Sequence, residues 1–201
     1  MSLDEIGFSR LTYSEVILSI RLKEMVNSAP MGAILNDRGE ISLKIYEKQR
    51  TYKMILEGAR ECVQNISDDP ILFNNAILEK EKIRYKPAKY VSSPRIRGCN
   101  AYIECLIADA TTRKGYIDTA LKPLLIEAAA DTVRAYSRPG PAIIEALICY
   151  SKIPHYKDVD KEKAEKLKKM IDTFREIVYH STKDRILREI ATKILEKAKK
   201  I

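Results

Sequence analysis

The run Arg138-Pro139-Gly140-Pro141 divides this chain more firmly than any other feature of its sequence. Two prolines around a glycine stop both helix and sheet, and the hydrophobic period differs on either side. Before the run, apolar residues alternate in short stretches, as in half-buried strands. After it they recur at helical spacing. Strands first and helices afterwards imply an α+β chain, with the expected boundary at 137/138: residues 1–137 form the strand-rich domain and 138–201 a helical appendage. With 45% hydrophobic residues in a chain of 201, a sizeable core can be buried and disorder is excluded as the dominant state.

Residues 1–10 read as a short leader, in which Met1-Ser2-Leu3 could be a cloning remnant rather than native sequence. Residues 13–21 place Val16, Leu18 and Ile20 on one face and Glu15, Ser19 and Arg21 on the other, which predicts a strand. Residues 32–35 and 41–46 predict two more strands, separated by the turn Asn36-Asp37-Arg38-Gly39. Between the first two lies Asn27-Ser28-Ala29-Pro30-Met31-Gly32, a small-residue stretch with a fixed φ and a glycine. It reads as a corner: either a simple turn or a place where backbone approaches a ligand closely.

A helix is expected over 51–59, a strand over 61–66 and a helix over 70–78, the last opened by Asp68-Asp69-Pro70. That acidic pair is explained by helix capping more cheaply than by metal or acid–base chemistry. Residues 79–99 contain Pro87 and Pro94 and read as a loop with one short strand. Residues 101–111 predict a strand, followed by a turn at 113–115 and a further run through Leu124, Leu125 and Ile126. Residues 126–136 fit both helix and strand and are assigned to strand, because their neighbours need an antiparallel partner. Helices are expected over 141–151, 160–180 and 182–200, with a loop around Pro154 between the first two. Six or seven mainly antiparallel strands point to a small barrel.

The chemistry-bearing residues exclude several classes. The two histidines, His155 and His180, lie apart, and the four cysteines form no CxxC pair, so no zinc site and no Ser/His/Asp constellation is signalled. GxGxxG and GxxxxGK[ST] are absent. No apolar run is long enough to span a bilayer, and a cytoplasmic location is expected. Tyrosines number 11 against 3 phenylalanines, which suits partly wet packing or a ligand-lined surface. The net charge of +8 concentrates in residues 80–97 and in the last forty residues, where basic and acidic residues alternate as on a solvated helix face. Gln49-Arg50-Thr51-Tyr52 sits where a strand gives way to a helix. Free helix N–H groups, a guanidinium and a hydroxyl there make either a phosphate site or an ordinary capped helix with a surface arginine. Asn27 and Asn65 could each bond a ligand or their own turn.

Asn27-Ser28-Ala29-Pro30-Met31-Gly32, then Arg50-Thr51-Tyr52, then Val63-Gln64-Asn65-Ile66-Ser67-Asp68-Asp69-Pro70 with Phe73 occur in this order. In that combination the chain resembles a largely archaeal family of uncharacterised proteins within the flavin-reductase-like, FMN-binding split-barrel superfamily. Ile144-Glu145-Ala146-Leu147-Ile148 is similar to that family's helical C-terminal region. The resemblance implies an antiparallel split β-barrel, a homodimer, and FMN near the subunit interface. It implies that Asn27, Ser28, Ala29, Met31 and Gly32 line the isoalloxazine, that Arg50 and Thr51 hold the phosphate, and that Asn65 lies near the ring or ribityl chain. Three positions depart from the pattern: Ser19 stands for threonine, Gln49 for a small hydroxyl residue, and Cys149-Tyr150-Ser151-Lys152 for a stretch with histidine and arginine. The function implied is FMN binding, in the service of a flavin-dependent oxidoreductase of unspecified substrate. Two alternatives remain open. One is a basic nucleic-acid-binding module that stacks bases on Tyr85 and Tyr90, which the mixed charges of the tail argue against. The other is a structural dimer with a degenerate flavin site.

Overall fold

The barrel strands form where apolar residues recur at every second position, because a strand then buries one face and solvates or covers the other. In the computed structural model, which describes all residues except 1, 7, 9, 11–13, 129–138 and 183, the first three strands are β1 (Ser14–Leu22), β2 (Met25–Leu35) and β3 (Ile41–Tyr46). A short helix α1 (Arg50–Leu56), β4 (Glu61–Ile66) and α2 (Pro70–Leu78) follow. After a short excursion come the long hairpin strands β7 (Ala101–Arg113) and β8 (Tyr116–Ala128). Six strands close a barrel in the order β1-β2-β3-β8-β7-β4, every neighbouring pair antiparallel. Val16, Leu18 and Ile20, then Met31 and Ala33, Ile41, Leu43 and Ile45, and Ile103, Cys105 and Ile107 fill the interior. Met54 and Ile55 of α1 join the same core.

Residues 27–32 are not a corner. They lie within β2 and pair one for one with β1, from Ile20↔Asn27 to Glu15↔Gly32. The reversal falls earlier, at Lys23 and Glu24, where Lys23 takes the left-handed conformation with φ 54°. Local turn chemistry is overridden here by a full-length register. Pro30 is tolerated because this part of β2 is an edge: β2 pairs with β3 only through Ala33↔Leu43, Ile34↔Ser42 and Leu35↔Ile41. Over residues 25–32 no described strand covers that side of β2. The barrel is split there.

Residues 79–99 hold two short strands rather than one. They are β5 (Tyr85–Lys86) and β6 (Arg95–Ile96), paired antiparallel after a single 3-10 turn at Lys80–Lys82. Of the stretch assigned to strand over 126–136, residues 126–128 belong to β8 and 129–136 lie outside the described residues. Asp69 caps α2, its Oδ1 accepting the Ile71 N–H at 2.8 Å.

The chain forms two compact units, Met1–Ser67 with Leu78–Thr132, and Asp68–Ile77 with Val133–Ile201. The second holds α3 (Pro139–Tyr156), α4 (Lys161–Ser181) and α5 (Arg185–Lys199). Asp160 and Asp184 cap α4 and α5 through Lys163 N–H, and through Ile186 and Leu187 N–H. Pro154 lies inside α3 and not in a loop, because the helix runs only two residues further and loses little from one missing donor.

One interior position breaks the apolar pattern. Gln64 lies on the core side of β4 between Cys62 and Ile66, opposite Leu18 and Ile103, and is fully buried. Neither end of its amide has a described partner. An unsatisfied buried amide costs about 1–3 kcal/mol. Gln64→Met, which keeps the volume, is therefore expected to stabilise the fold by about 1 kcal/mol in chemical denaturation. A destabilised variant would mean that the amide is bonded in solution.

Candidate functional site

The open edge of β2 meets the start of α1 and the 3-10 turn at Lys80–Lys82, and a short hydrogen-bond series joins all three. Asn27 is buried on β2. Its Nδ2 donates to Thr51 Oγ1 at 3.0 Å, and its Oδ1 accepts from Lys80 Nζ at 2.8 Å. Lysine can only donate, so the orientation of the Asn27 amide is determined. Arg50, the first residue of α1, is exposed, and its guanidinium reaches Met25 Sδ at 3.5 Å. Among the described residues no carboxylate pairs with Arg50 or Lys80. Burial pushes the Lys80 ammonium below its ordinary range, and the charge of Arg50 pushes it further. Two neighbouring cations without a described counter-charge give this edge a local positive potential. Gln49, preceding α1, makes no side-chain cap; its Oε1 accepts the Tyr46 N–H at 2.9 Å instead.

The sequence-predicted residues divide into three groups. Ala29 and Met31 turn their side chains into the barrel core, so only their backbone can face a ligand. Ser28, Pro30 and Gly32 alternate with them and give the other face of β2 a run of small groups. Thr51 is fully buried, and its Oγ1 accepts from Asn27.

Asn65 is hydrogen-bonded within the protein at both ends of its amide. It is fully buried, and its Nδ2 donates to Ile17 O at 2.8 Å and Ser19 Oγ at 2.9 Å, while its Oδ1 accepts the Ile96 N–H at 2.7 Å. Its amide is engaged in tying β6 to the barrel wall, which is a positioning role. Lys80 was missed by motif reasoning. The only signal for it was the excess of basic residues beginning at position 80, which does not say which lysine a buried asparagine would hold.

The excursion carrying Lys80 is held down by buried charge. Glu104 on β7 is fully buried and accepts from Lys89 N–H at 2.8 Å, Tyr90 N–H at 2.6 Å and Arg95 Nε at 2.7 Å. Arg95 also reaches Glu127 at 2.9 Å, and Lys89 pairs with Glu127. All four cysteines are buried thiols outside any disulfide, and the described residues contain no group of three His, Cys, Asp or Glu able to hold a metal. No helix among them is long and apolar enough to cross a membrane.

Residues 14–130 match the model of the N-terminal domain of DUF447, a protein family of unknown function. None of the curated proteins matches in sequence. An FMN-bound DUF447 protein from Methanosarcina mazei has a solved structure similar over 98% of this chain and 100% of its own, at TM-score 0.77 and 18% identity. The flavin reductase HpaC, solved with NADP+, is similar over 62% of this chain and 83% of its own, at TM-score 0.54 and 16% identity. Component B of a nitrilotriacetate monooxygenase from Mycobacterium thermoresistibile is similar over 62% and 73%, at TM-score 0.50 and 14% identity. At these identities the likeness is one of fold: an α+β chain built on the split barrel of flavin-reductase-like proteins.

Proposed function

The chain belongs to the DUF447 family, and we propose that it binds FMN at the split edge of its barrel. The observation that carries this reading is the junction itself. A strand edge of small residues, left unpaired by the described strands, runs into two cations, Arg50 and Lys80, that have no carboxylate partner among the described residues. A flavin mononucleotide needs both parts: a flat surface with backbone polar groups for the ring, and a compact positive site for the phosphate. The isoalloxazine would lie against Asn27, Ser28, Ala29, Met31 and Gly32, meeting backbone at Ala29 and Met31. Arg50 and Lys80 would hold the phosphate, with Thr51 and Asn27 fixing Lys80 from behind. Asn65 would act one layer back, through Ser19 and the strand it ties down. When bound, the flavin supplies redox chemistry, and the chain's own residues orient it and exclude water.

The same reading carries a homodimer with FMN near the subunit interface and a cytoplasmic location. Tyr46 (46% exposed) and Leu124 (42% exposed) support an interface, being large apolar side chains left uncovered on barrel strands. The direct test is an FMN titration of the purified chain, followed by absorbance and flavin fluorescence, with light scattering for the oligomer. Saturable binding near one FMN per chain is expected. If excess FMN gives neither bound yellow colour nor a rise in melting temperature, the proposal is wrong.

A further inference from the structure

One phenol stands against the small-residue face of β2. Tyr85 of β5 is half-buried, and its Oη lies 2.9 Å from Ser28 Oγ. Ser28 shares that face with Pro30 and Gly32. Lys80, five residues before Tyr85, bonds Asn27 next to Ser28. The excursion therefore holds two consecutive residues of β2, whose side chains leave the strand on opposite faces. Along this part of β2 no described strand pairs with the edge. A ring lying against Ser28 meets the Tyr85 phenol on the Ser28 side.

The proton on that phenol has a direction that can be deduced. The Asn65 amide is oriented by Ile17 O, which can only accept, and by Ile96 N–H, which can only donate. Asn65 therefore donates to Ser19 Oγ at 2.9 Å. Ser19 is fully buried, and among the described residues its own proton has Ser28 Oγ, 2.9 Å away, as its acceptor. Ser28 is buried as well, and the acceptor left for its proton is Tyr85 Oη. The chain runs Asn65→Ser19→Ser28→Tyr85 and leaves the phenol O–H free to donate outward. With the opposite direction, Tyr85 would present only a lone pair.

We propose that Tyr85 donates its O–H to an acceptor on the isoalloxazine of bound FMN and so biases the flavin toward its reduced form, an inference that rests on the flavin reading above. The ring nitrogens and carbonyl oxygens are acceptors, and reduction adds electron density to them. A hydrogen bond to a charged acceptor is stronger than one to a neutral acceptor, so the same donor favours the reduced, anionic ring. Burial pushes the Tyr85 phenol above its ordinary range, which keeps it protonated at neutral pH. Ser28 and Ser19 are positioning residues for this donor.

The test is an anaerobic redox titration of the FMN-loaded full-length chain and of Tyr85→Phe, with FMN affinities from fluorescence. Tyr85→Phe should bind oxidised FMN about threefold to tenfold more weakly. Reduced FMN should lose about tenfold more than that, which lowers the two-electron midpoint by about 30 mV. The visible bands of the bound flavin should shift as well. A ring-fluorinated tyrosine at position 85, similar in size and a stronger donor, should raise the midpoint instead. Melting curves check that each variant is folded. If both variants keep the wild-type midpoint, or if Tyr85→Phe weakens oxidised and reduced FMN equally, the Tyr85 assignment is overturned and the flavin site stands. If the wild-type chain binds no FMN, the flavin reading fails and this inference fails with it.

Discussion

Glu104→Gln is expected to lower the thermal midpoint by about 6–12 °C, corresponding to about 3 kcal/mol in a chain of this length. Glu104 is fully buried and Arg95 nearly so, their side chains 0% and 3% exposed. The carboxylate accepts two backbone N–H groups and the guanidinium at once. Glutamine keeps one acceptor oxygen but turns an NH₂ group toward donors, and it leaves Arg95 charged in the interior with Glu127 alone. Breaking one side of a buried pair costs more than the pair is worth, because the other charge is stranded. Arg95→Met should therefore be comparably harmful. The double variant Arg95→Met/Glu104→Gln should lose less than the sum of the two, since no charge is then left buried alone. A Glu104→Gln midpoint within about 1 °C of the wild type would show that this pair does not hold the excursion down. Glu127 adds a pH dependence. The Lys89 ammonium and then Arg95 hold its carboxyl down, from an ordinary 4.5 to about 2. Because the folded value is the lower one, its contribution is present above pH ~4.5 and is lost as pH falls toward 2. Wild type and Glu127→Gln should thus converge in acid.

The same residues indicate what a sequence can disclose. β1, β3, β4 and β7 were legible because in each of them apolar residues recur at every second position and join one core. The two terminal helices were legible from their amphipathic spacing. Residues 27–32 misled because asparagine, proline and glycine favour turns locally, whereas pairing with β1 along an uncovered edge decided the outcome. β5 and β6 are two residues each, too short to show any period. The motif order picked out Asn27 and Thr51, which the fold brings together, but not how they bond to one another or to Lys80. Thr51 and Asn65 have polar side chains that look ready for a ligand, and their burial against protein partners is not written in any local pattern. Lys80 enters through an asparagine 53 positions away, a relation that no local pattern contains.

Arg50→Ala and Lys80→Ala should each weaken FMN by about tenfold to a hundredfold, and the double variant by about a thousandfold. Each residue offers a charge-assisted donor to a dianionic phosphate, and such bonds are worth about 1.5–3 kcal/mol. The pH profile separates this arrangement from a merely basic surface. Lys80 is depressed below 10.5, chiefly by burial and then by Arg50. A bound phosphate favours the ammonium, so affinity should be constant at neutral pH and fall as pH rises through the depressed value of the free protein. Removing Arg50 removes the repulsive part of the depression, so in Arg50→Ala the fall should move to higher pH even though overall affinity is lower. In Lys80→Gln that fall should be absent. The linkage to folding has the opposite sense. The unfolded chain holds the Lys80 proton more tightly than the folded one, so without ligand stability rises with pH through the depressed value and levels off near 10.5. Fluorescence titrations of FMN across pH 6 to about 10 would read both the magnitude and the profile. A double variant within about threefold of wild type, or a Lys80→Gln profile that still falls in the same range, would remove Lys80 and Arg50 from the phosphate site.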